Sequence, residues 1–318
     1  MTEPPAVQLS GIRKTFEGVV AVDTLDLAIP RGSTYGVLGP NGAGKTTMIR
    51  MILRIIDADS GTIDIFGERL APSALDRIGY LPEERGIYKN MKIKRLLSFF
   101  AELKGMSPRT SKPKIMHWLE RFDLADRADS KVKELSKGNQ QKVQFISAIL
   151  HEPEIMILDE PFSGLDPINQ QILKDIIVDL RRAGKTIIFS THIIEHAERI
   201  CDHVCIIAKG RKVADGTMSQ VKKQHGGDYI AIAFENGSAQ AIEEVRRHPV
   251  VAQMRDNAGT LEINVKDGAD AQQLLKHLVD RNVRLKRFEY AEPSLEQIFL
   301  DKVGASDQIM SELRAAHV

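Results

Sequence analysis

The sequence contains few of the features that disulfide frameworks and membrane spans require. Only two of its 318 residues are cysteines, which excludes a scaffold that depends on several disulfide bonds. No apolar run approaches the roughly 20 residues of a membrane-spanning helix. The first residues, Met-Thr-Glu-Pro-Pro, lack the apolar stretch of a signal peptide. We therefore expect a cytosolic protein that meets a membrane only through a partner.

Neither sign of charge prevails. The 44 lysines and arginines nearly balance the 43 aspartates and glutamates, so the net charge of +1 creates no overall field that attracts nucleic acid or anionic lipid. A hydrophobic share of 42% and a charged share of 27% are typical of a globular chain and not of a disordered one. At about 150 residues per domain, we expect two globular domains and no nucleic-acid partner.

The first part of the chain alternates short strands with helices, which predicts an α/β fold with a parallel sheet. Strands are predicted at 7–10, 25–29, 34–38, 61–66, 77–81, 155–158 and 186–190, and helices at 46–56, 143–150, 168–182 and 194–201. Residues 92–135 have helical periodicity and are predicted to form a helical insertion, with breaks at Gly105, Pro108 and Pro113.

The pattern starts again after Gly226 and Gly227. Strands at 229–234, 260–265 and 283–288 and helices at 239–247, 269–281 and 294–303 predict a small α+β domain with its own core. We therefore expect an N-terminal domain over 1–225, a small domain over 226–303 and a tail over 304–318.

A glycine-rich loop lies between the predicted strand 34–38 and helix 46–56, and it fits the pattern G-x-x-x-x-G-K-[ST]. The segment is Gly39, Pro40, Asn41, Gly42, Ala43, Gly44, Lys45 and Thr46, with Thr47 next. Glycines let backbone N–H groups converge on phosphate oxygens, and the helix N-terminus adds its dipole. We expect Lys45 to reach the β- and γ-phosphates and Thr46 to ligate Mg²⁺. A glycine turn without a ligand is the weaker alternative.

Two acids follow the apolar run 155–158. Because the carboxyl ends of parallel strands face the ligand crevice, we expect Asp159 to hold Mg²⁺ and Glu160 to act as general base on the attacking water. An Asp-Glu pair at a strand end is by itself an ordinary surface feature, and the phosphate loop is what favours the catalytic interpretation.

A further segment, Leu135-Ser-Lys-Gly-Asn-Gln-Gln141, precedes a predicted helix. Ser136 and the Gly138 backbone are placed to donate to a phosphate, although a serine before a helix is also an ordinary N-cap. Five motifs occur in the order found in the ATP-binding subunits of ABC transporters. They are the phosphate loop, this segment, the two acids, the segment Ser163-Gly-Leu-Asp166 and a histidine after the strand 186–190. The chain resembles that family over about 7–215.

The resemblance implies a P-loop NTPase core with an antiparallel β subdomain and a helical insertion, and an activity of ATP hydrolysis with ATP and Mg²⁺. Two such subunits, identical or different, enclose two ATP molecules beneath a separate transmembrane permease subunit at the cytoplasmic face of the membrane. Ser136 and Gly138 then touch the γ-phosphate held by the other copy, and Asp166 couples the two sites. His192 contacts the γ-phosphate, and Phe16 stacks on adenine unless it is a buried strand-end side chain.

The chain departs from the family pattern at several positions. Lys137 and Asn139 stand where the family usually has Gly and Gln. Glu83 stands where the family places a glutamine that contacts Mg²⁺ and the membrane partner. A glutamate can still ligate the metal, but it adds negative charge beside the γ-phosphate. We therefore hypothesise that Glu83 takes part in coupling.

The segments Leu81-Pro-Glu-Glu-Arg-Gly86 and Glu292-Pro-Ser-Leu-Glu-Gln-Ile-Phe299 resemble export-type subunits of the sodium-efflux and drug-resistance group. The small C-terminal domain fits the same group and is expected to stabilise a dimer more than to sense a ligand. The alternative function is a soluble ABC-type ATPase that acts on ribosomes or DNA. Such proteins usually carry two fused ATPase units or a long coiled coil, and the sequence indicates neither.

Two other patterns suggest metals. The run from His192 to His196 matches the protease pattern H-x-x-E-H, but His192 follows a strand, and we expect His196 on a helix surface. The run Cys201-Asp-His203-Val-Cys205 has too few ligands for a zinc site, so it is expected to pack in the core.

Overall fold

The computed structural model describes residues 3–84, 86–225, 229–235, 239–257, 259–266 and 268–304. The chain divides into two compact units, the first reaching Thr217 and the second covering Met218–Asp301. The predicted domain boundary at 226 differs from this division by one helix, Met218–His225. All but the first residue of the predicted tail, 304–318, lies outside the described residues.

The first unit contains two sheets and the helices that pack on them. Its strands are β1 (Val7–Phe16), β2 (Val19–Ile29), β3 (Thr34–Leu38), β4 (Ser60–Ile65), β5 (Glu68–Arg69), β6 (Ile78–Leu81), β7 (Ile155–Asp159), β8 (Thr186–Thr191), β9 (His203–Ala208) and β10 (Arg211–Thr217). Its helices are α1 (Lys45–Ile52), α2 (Ile93–Leu103), α3 (Pro108–Arg121), α4 (Lys137–Ile149), α5 (Pro167–Arg182) and α6 (Ile194–Ile200).

The two sheets have different topologies. One is antiparallel, with the order β2-β1-β4-β5. The other has the order β10-β9-β3-β8-β7-β6 and is parallel except for β10. Strands β3, β7 and β8 are buried along their whole length, as expected for parallel strands covered on both faces. This arrangement confirms the predicted α/β fold with an antiparallel β subdomain.

Helix α1 belongs to a core that both sheets share. Leu9 from the antiparallel sheet, Met48 and Ile49 from α1, and Ile157 from the parallel sheet lie in one buried cluster. Because side chains in such a core are close-packed, α1 has little freedom to move. The glycine-rich loop that precedes α1 is therefore attached to a rigid element.

Several elements differ from their predicted bounds. Helix α1 ends at Ile52 and not at 56, because Arg54 takes a positive φ of 53° that a helix does not tolerate. Strand β1 continues past 10 because Gly11, with φ of 57°, takes up a register shift and donates its N–H to Asp26 Oδ1 at 2.7 Å.

The predicted break at Pro113 is wrong, because Pro113 lies inside α3. Pro108 occupies the first position of this helix, where its ring is favourable, and Ser107 accepts a hydrogen bond from the Thr110 N–H at 3.3 Å. Burial of the α3 side chains, such as Leu119, adds to the cap. These contributions outweigh the backbone hydrogen bond that a proline removes.

The second unit is an α+β structure with its own core, as predicted. It contains α7 (Met218–His225), β11 (Tyr229–Phe234), α8 (Ala239–Arg247), β12 (Val251–Asn257), β13 (Thr260–Val265), α9 (Gln272–Asp280), β14 (Leu285–Ala291) and most of α10 (Leu295–Val303). The antiparallel sheet has the order β12-β13-β11-β14. Ile230 and Ile263 from the sheet pack in one cluster with Val245 and Leu274 from two helices. In neither unit does any described helix have the length and apolarity to cross a membrane.

Gly79 of β6 offers a test of packing against α4. An added Cβ would lie 2.3 Å from Ala148 O and 2.7 Å from Met156 Sδ, so Gly79→Ala forces one element to shift. Overpacking of this kind costs about 1–3 kcal/mol, and the melting temperature falls by roughly 2–4 °C per kcal/mol in a domain of this size. Gly86→Ala, which meets no heavy atom within 4 Å, is the control. Equal melting temperatures for the two variants in thermal denaturation would contradict this packing.

Candidate functional site

The glycine-rich loop lies so close to neighbouring backbone that side chains would not fit. A Cβ on Gly39 would stand 2.4 Å from Ile207 O, and a Cβ on Gly44 would stand 2.4 Å from Ala21 O. Gly44 also has φ of 105°, a conformation that L side chains rarely adopt. The close approach explains why glycines occupy these positions, and it fixes the loop against β2 and β9.

Lys45 and Thr46 begin helix α1 directly after this loop. Lys45 is buried, and its ammonium group donates to the carbonyl oxygens of Gly39 at 2.7 Å and Pro40 at 3.2 Å. The Thr46 hydroxyl lies 3.4 Å from Asp159 Oδ1, which joins α1 to the end of β7. The predicted phosphate loop and the first predicted acid therefore meet.

Asp159 is buried at the end of β7. Its Oδ1 accepts a hydrogen bond from the Ser190 hydroxyl, and its buried Oδ2 has no hydrogen-bond partner among the described residues. A buried carboxylate oxygen without a donor is unfavourable unless a cation or water meets it. Hydroxyl and carboxylate oxygens are the ligands that Mg²⁺ prefers, so Thr46 and Asp159 fit this ion.

Glu160 follows β7 and is held by the end of β8. The Glu160 N–H donates to Ser190 O at 3.1 Å. The backbone of Glu160 has a positive φ of 48°. Its Oε2 accepts a hydrogen bond from the Thr191 hydroxyl at 3.2 Å, and its Oε1 lies 2.8 Å from His192 Nδ1. The structure thus brings Glu160 and His192 into direct contact. Sequence reasoning missed Ser190 and Thr191, although parallel pairing of the two predicted strands could have pointed to them.

These groups line a cleft of about 320 Å³. Its lining residues are Ala21, Asn41, Gly42, Ala43, Gly44, Lys45, Thr46, Thr47, Glu83, Asp159 and Glu160. Partial burial, and then the nearby carboxylates of Asp159 and Glu160, raise the pKa of Glu83. Carboxylates outnumber the single lysine in this lining, so a divalent cation would relieve their repulsion.

Seven of the predicted site residues lie outside the lining of this cleft, namely Phe16, Gly39, Pro40, Ser136, Gly138, Asp166 and His192. Phe16 is 45% exposed at the end of β1, which contradicts the alternative of a buried strand-end ring. Ser136 caps α4 by accepting from the Asn139 N–H at 3.3 Å, and Asp166 caps α5 by accepting from the Asn169 N–H at 3.0 Å. Gly138 lies near the second of these caps, because a Cβ there would stand 3.5 Å from Leu165 Cδ2.

His196 is buried and not on the helix surface as predicted. It is only 5% exposed, and its ring centroid lies 4.4 Å from that of Phe162, because α6 turns this side chain toward the core. Burial lowers the pKa of His196 to about 4. Cys205 is fully buried and His203 stacks on Tyr35, in agreement with core packing. Among the described residues, no group of three or more His, Cys, Asp or Glu side chains could hold a metal ion.

Comparison with known families and proteins identifies both units. The family profile described as ABC transporter matches residues 22–163, and the profile described as ATP-binding protein DrrA1-3-like, C-terminal domain, matches residues 216–303. A solved structure titled as the ATP-binding subunit of an ABC transporter is 31% identical with a TM-score of 0.65, over 69% of this chain and 92% of that one.

Several relatives match this chain over nearly the whole length of both sequences. The chain is 42% identical to the uncharacterized ABC transporter ATP-binding protein YhaQ of Bacillus subtilis (strain 168), over 92% of this chain and 97% of that one. It is 34% identical to Nod factor export ATP-binding protein I of Rhizobium sp. (strain N33), over 94% of this chain and 97% of that one. It is 30% identical to daunorubicin resistance ATP-binding protein DrrA3 of Streptomyces coeruleorubidus, over 94% of this chain and 96% of that one.

These matches confirm the resemblance on which the sequence analysis relied, and they favour transport over an action on ribosomes or DNA. The chain combines a phosphate loop after β3 with two acids at the end of β7, a parallel strand of the same sheet that β8 separates from β3. The chain therefore belongs to the ATP-binding, ATP-hydrolysing proteins of ABC transporters, and its second unit is a DrrA-like C-terminal domain.

Proposed function

We propose that this chain is the ATPase subunit of an exporter, which converts the binding and hydrolysis of ATP into substrate efflux by a separate membrane permease. The observation that carries the proposal is the single cleft in which the phosphate loop, Lys45, Asp159 and Glu160 meet. The direction of transport is inferred from the relatives named for Nod factor export and daunorubicin resistance. The subunit then works at the cytoplasmic face of the membrane.

In the proposed mechanism the loop binds the phosphates of ATP. Backbone N–H groups at the start of α1 and the helix dipole favour the anion. Lys45 exchanges the carbonyl oxygens of Gly39 and Pro40 for the β- and γ-phosphates. Thr46, Asp159 and Glu83 would hold Mg²⁺, which would offset the negative charge of the phosphates when bound. Glu160 accepts the proton of the water that attacks the γ-phosphate.

The cleft is expected to be completed by a second ATP-binding subunit, identical or different. Ser136 and Gly138 stand at the N-terminus of α4, outside the cleft of their own chain. An exposed helix N-terminus can bind the γ-phosphate held by another copy. Asp166, which caps the neighbouring helix, is then close to the interface and couples the two sites. Phe16 is exposed and able to stack on adenine, and His192 helps to hold the γ-phosphate.

The membrane permease is proposed to dock on an aromatic patch, which we define as Tyr88, Phe99 and Leu103. Tyr88 is 57% exposed and Leu103 is 65% exposed, and the rings of Tyr88 and Phe99 lie 5.9 Å apart. Clustered apolar side chains on a surface mark interaction sites. The patch follows Glu83 in the chain, and the neighbouring Glu84 carbonyl accepts from Gln144 of α4 at 3.1 Å. A permease bound at the patch would therefore contact a segment that is connected both to the nucleotide cleft and to α4.

The general-base role predicts a specific kinetic defect. Glu160→Gln should bind ATP but hydrolyse it at least ~10²-fold more slowly, and it should accumulate as an ATP-bound dimer. Phosphate release and size-exclusion chromatography with ATP measure the two effects. Glu195→Gln, an exposed carboxylate paired with Arg199, is the matched control and should keep normal turnover. Normal turnover in Glu160→Gln would remove Glu160 from this role.

The raised pKa of Glu83 predicts a pH-dependent effect on stability. A carboxyl whose pKa is raised by folding stabilises the fold below its unfolded pKa, and this contribution is lost as the pH rises through the raised value. Glu83→Gln stays neutral, so the nucleotide-free variant should melt about 1–3 °C above the parent at pH 7. The difference should vanish near pH 4. Glu84→Gln is the neighbouring control, and a Glu83→Gln difference independent of pH would contradict the expectation.

A Glu83 variant also tests the hypothesis that this residue couples the nucleotide cleft to the permease. If Glu83 passes information between the cleft and the permease, Glu83→Gln should alter permease-stimulated ATP turnover and substrate efflux. Both rates can be measured in vesicles that contain the subunit and its permease. Unchanged values for both would exclude a coupling role.

The docking patch predicts which contacts hold the permease. Tyr88→Ser combined with Phe99→Ser should reduce the amount of polytopic membrane protein that co-purifies from detergent-solubilised membranes, since the apolar contact is lost. The ATPase rate of the subunit alone should not change. Val279→Ser, an exposed apolar residue of the second unit, is the control. If the membrane protein still co-purifies in the same amount, the contact lies elsewhere on the subunit. If ribosomes or DNA co-purify instead of a membrane protein, the alternative function is supported.

A further inference from the structure

We propose that Thr191 is a positioning residue for ATP hydrolysis. Its hydroxyl group, together with the His192 imidazole, holds the Glu160 carboxylate in the orientation that receives the proton of the attacking water. The inference rests on the proposed role of Glu160 as general base, and it adds a group that acts only through Glu160.

The main chain around Glu160 is anchored to β8. Strands β7 and β8 run parallel, with Asp159 opposite Ser190, and the Glu160 N–H donates to Ser190 O at 3.1 Å. Glu160 also has a positive φ of 48°, which is unfavourable for a residue with a side chain. Such a backbone conformation persists only where neighbouring groups hold it, and here the neighbour is the end of β8.

The direction of the Thr191 hydroxyl follows from its partners. Thr191 Oγ1 accepts a hydrogen bond from the Ile193 N–H at 3.0 Å, and it lies 3.2 Å from Glu160 Oε2. A carboxylate oxygen only accepts, so the single hydroxyl proton points to Glu160. Thr191 is fully buried, which protects this hydrogen bond from competition with water.

Two different groups therefore hold the two oxygens of one carboxylate. His192 Nδ1 meets Oε1 at 2.8 Å, and Thr191 meets Oε2. With both contacts in place, the carboxylate has little freedom to rotate about its last torsion. With one contact removed, it can turn away from the attacking water. A displacement of about 1 Å at a reacting centre can cost ~10²-fold in rate.

Neighbouring hydroxyl groups serve different acids. Ser190 donates to Asp159 and Thr191 donates to Glu160. Thr191 does not line the cleft that holds the phosphate loop. Removing its hydroxyl should therefore change the rate of the chemical step and leave ATP binding intact.

The test compares variants of the purified full-length chain. Thr191→Val keeps the shape of the side chain and removes the hydroxyl, so kcat for ATP should fall about 10- to 100-fold while KM stays unchanged. Thr191→Ser restores the hydroxyl and should recover most of the turnover. Thr186→Val is the matched control at the other end of β8, where the hydroxyl accepts from the Gly32 N–H at 3.0 Å, and it should keep normal kcat. If Thr191→Val melts below the assay temperature, Thr191→Ala takes its place.

A second comparison asks whether Thr191 acts through Glu160. In a Glu160→Gln background, Thr191→Val should cause no further loss, because effects that pass through one group are not additive. The same fold-loss in both backgrounds would overturn the proposal. Normal kcat for Thr191→Val, or a raised KM with normal kcat, would overturn it as well. Normal turnover in Glu160→Gln alone would instead overturn the proposed general base and, with it, this inference.

Discussion

The parallel pairing of β7 with β8 is the constraint on which the geometry of the site depends. Because the strands run in the same direction, their carboxyl ends meet at one edge of the sheet, where open α/β sheets bind ligands. The register places Ser190 opposite Asp159, so the next two residues of the chain, Thr191 and His192, reach the side chain of Glu160. Both strands are buried along their length, which leaves these ends little freedom to shift.

Charge in the cleft explains why a nucleotide and a divalent cation are proposed to enter together. Glu83, Asp159 and Glu160 line the cleft with Lys45, whose ammonium group is held by two carbonyl oxygens of its own loop. Phosphates alone would meet net negative charge, and a cation alone would lack the ligands that phosphates supply. Together, they would satisfy Lys45 and the Asp159 oxygen that has no hydrogen-bond partner in the described part of the chain.

Local patterns predicted much of this site. The phosphate loop depends on glycines and on a strand followed by a helix, and both can be read from neighbouring residues. Thr191 could not be identified in this way, since its role comes from pairing with a segment some thirty residues away. The burial of His196 was missed because a short polar stretch does not reveal which face of α6 meets Phe162. Pro113 was misjudged because packing and capping of α3 outweighed a local preference.

Helix α4 connects the features that the cleft alone does not explain. Its Gln141 donates to Pro161 O at 2.7 Å, directly after the two acids, and its Gln144 donates to Glu84 O at 3.1 Å, directly after Glu83. Its N-terminus carries Ser136. In the proposed dimer this N-terminus meets the ATP of the other subunit, while the side of the same helix is bonded to segments that line its own cleft. A change at one nucleotide would therefore shift a rigid element that contacts the second, which is a physical route by which two sites can act in turn.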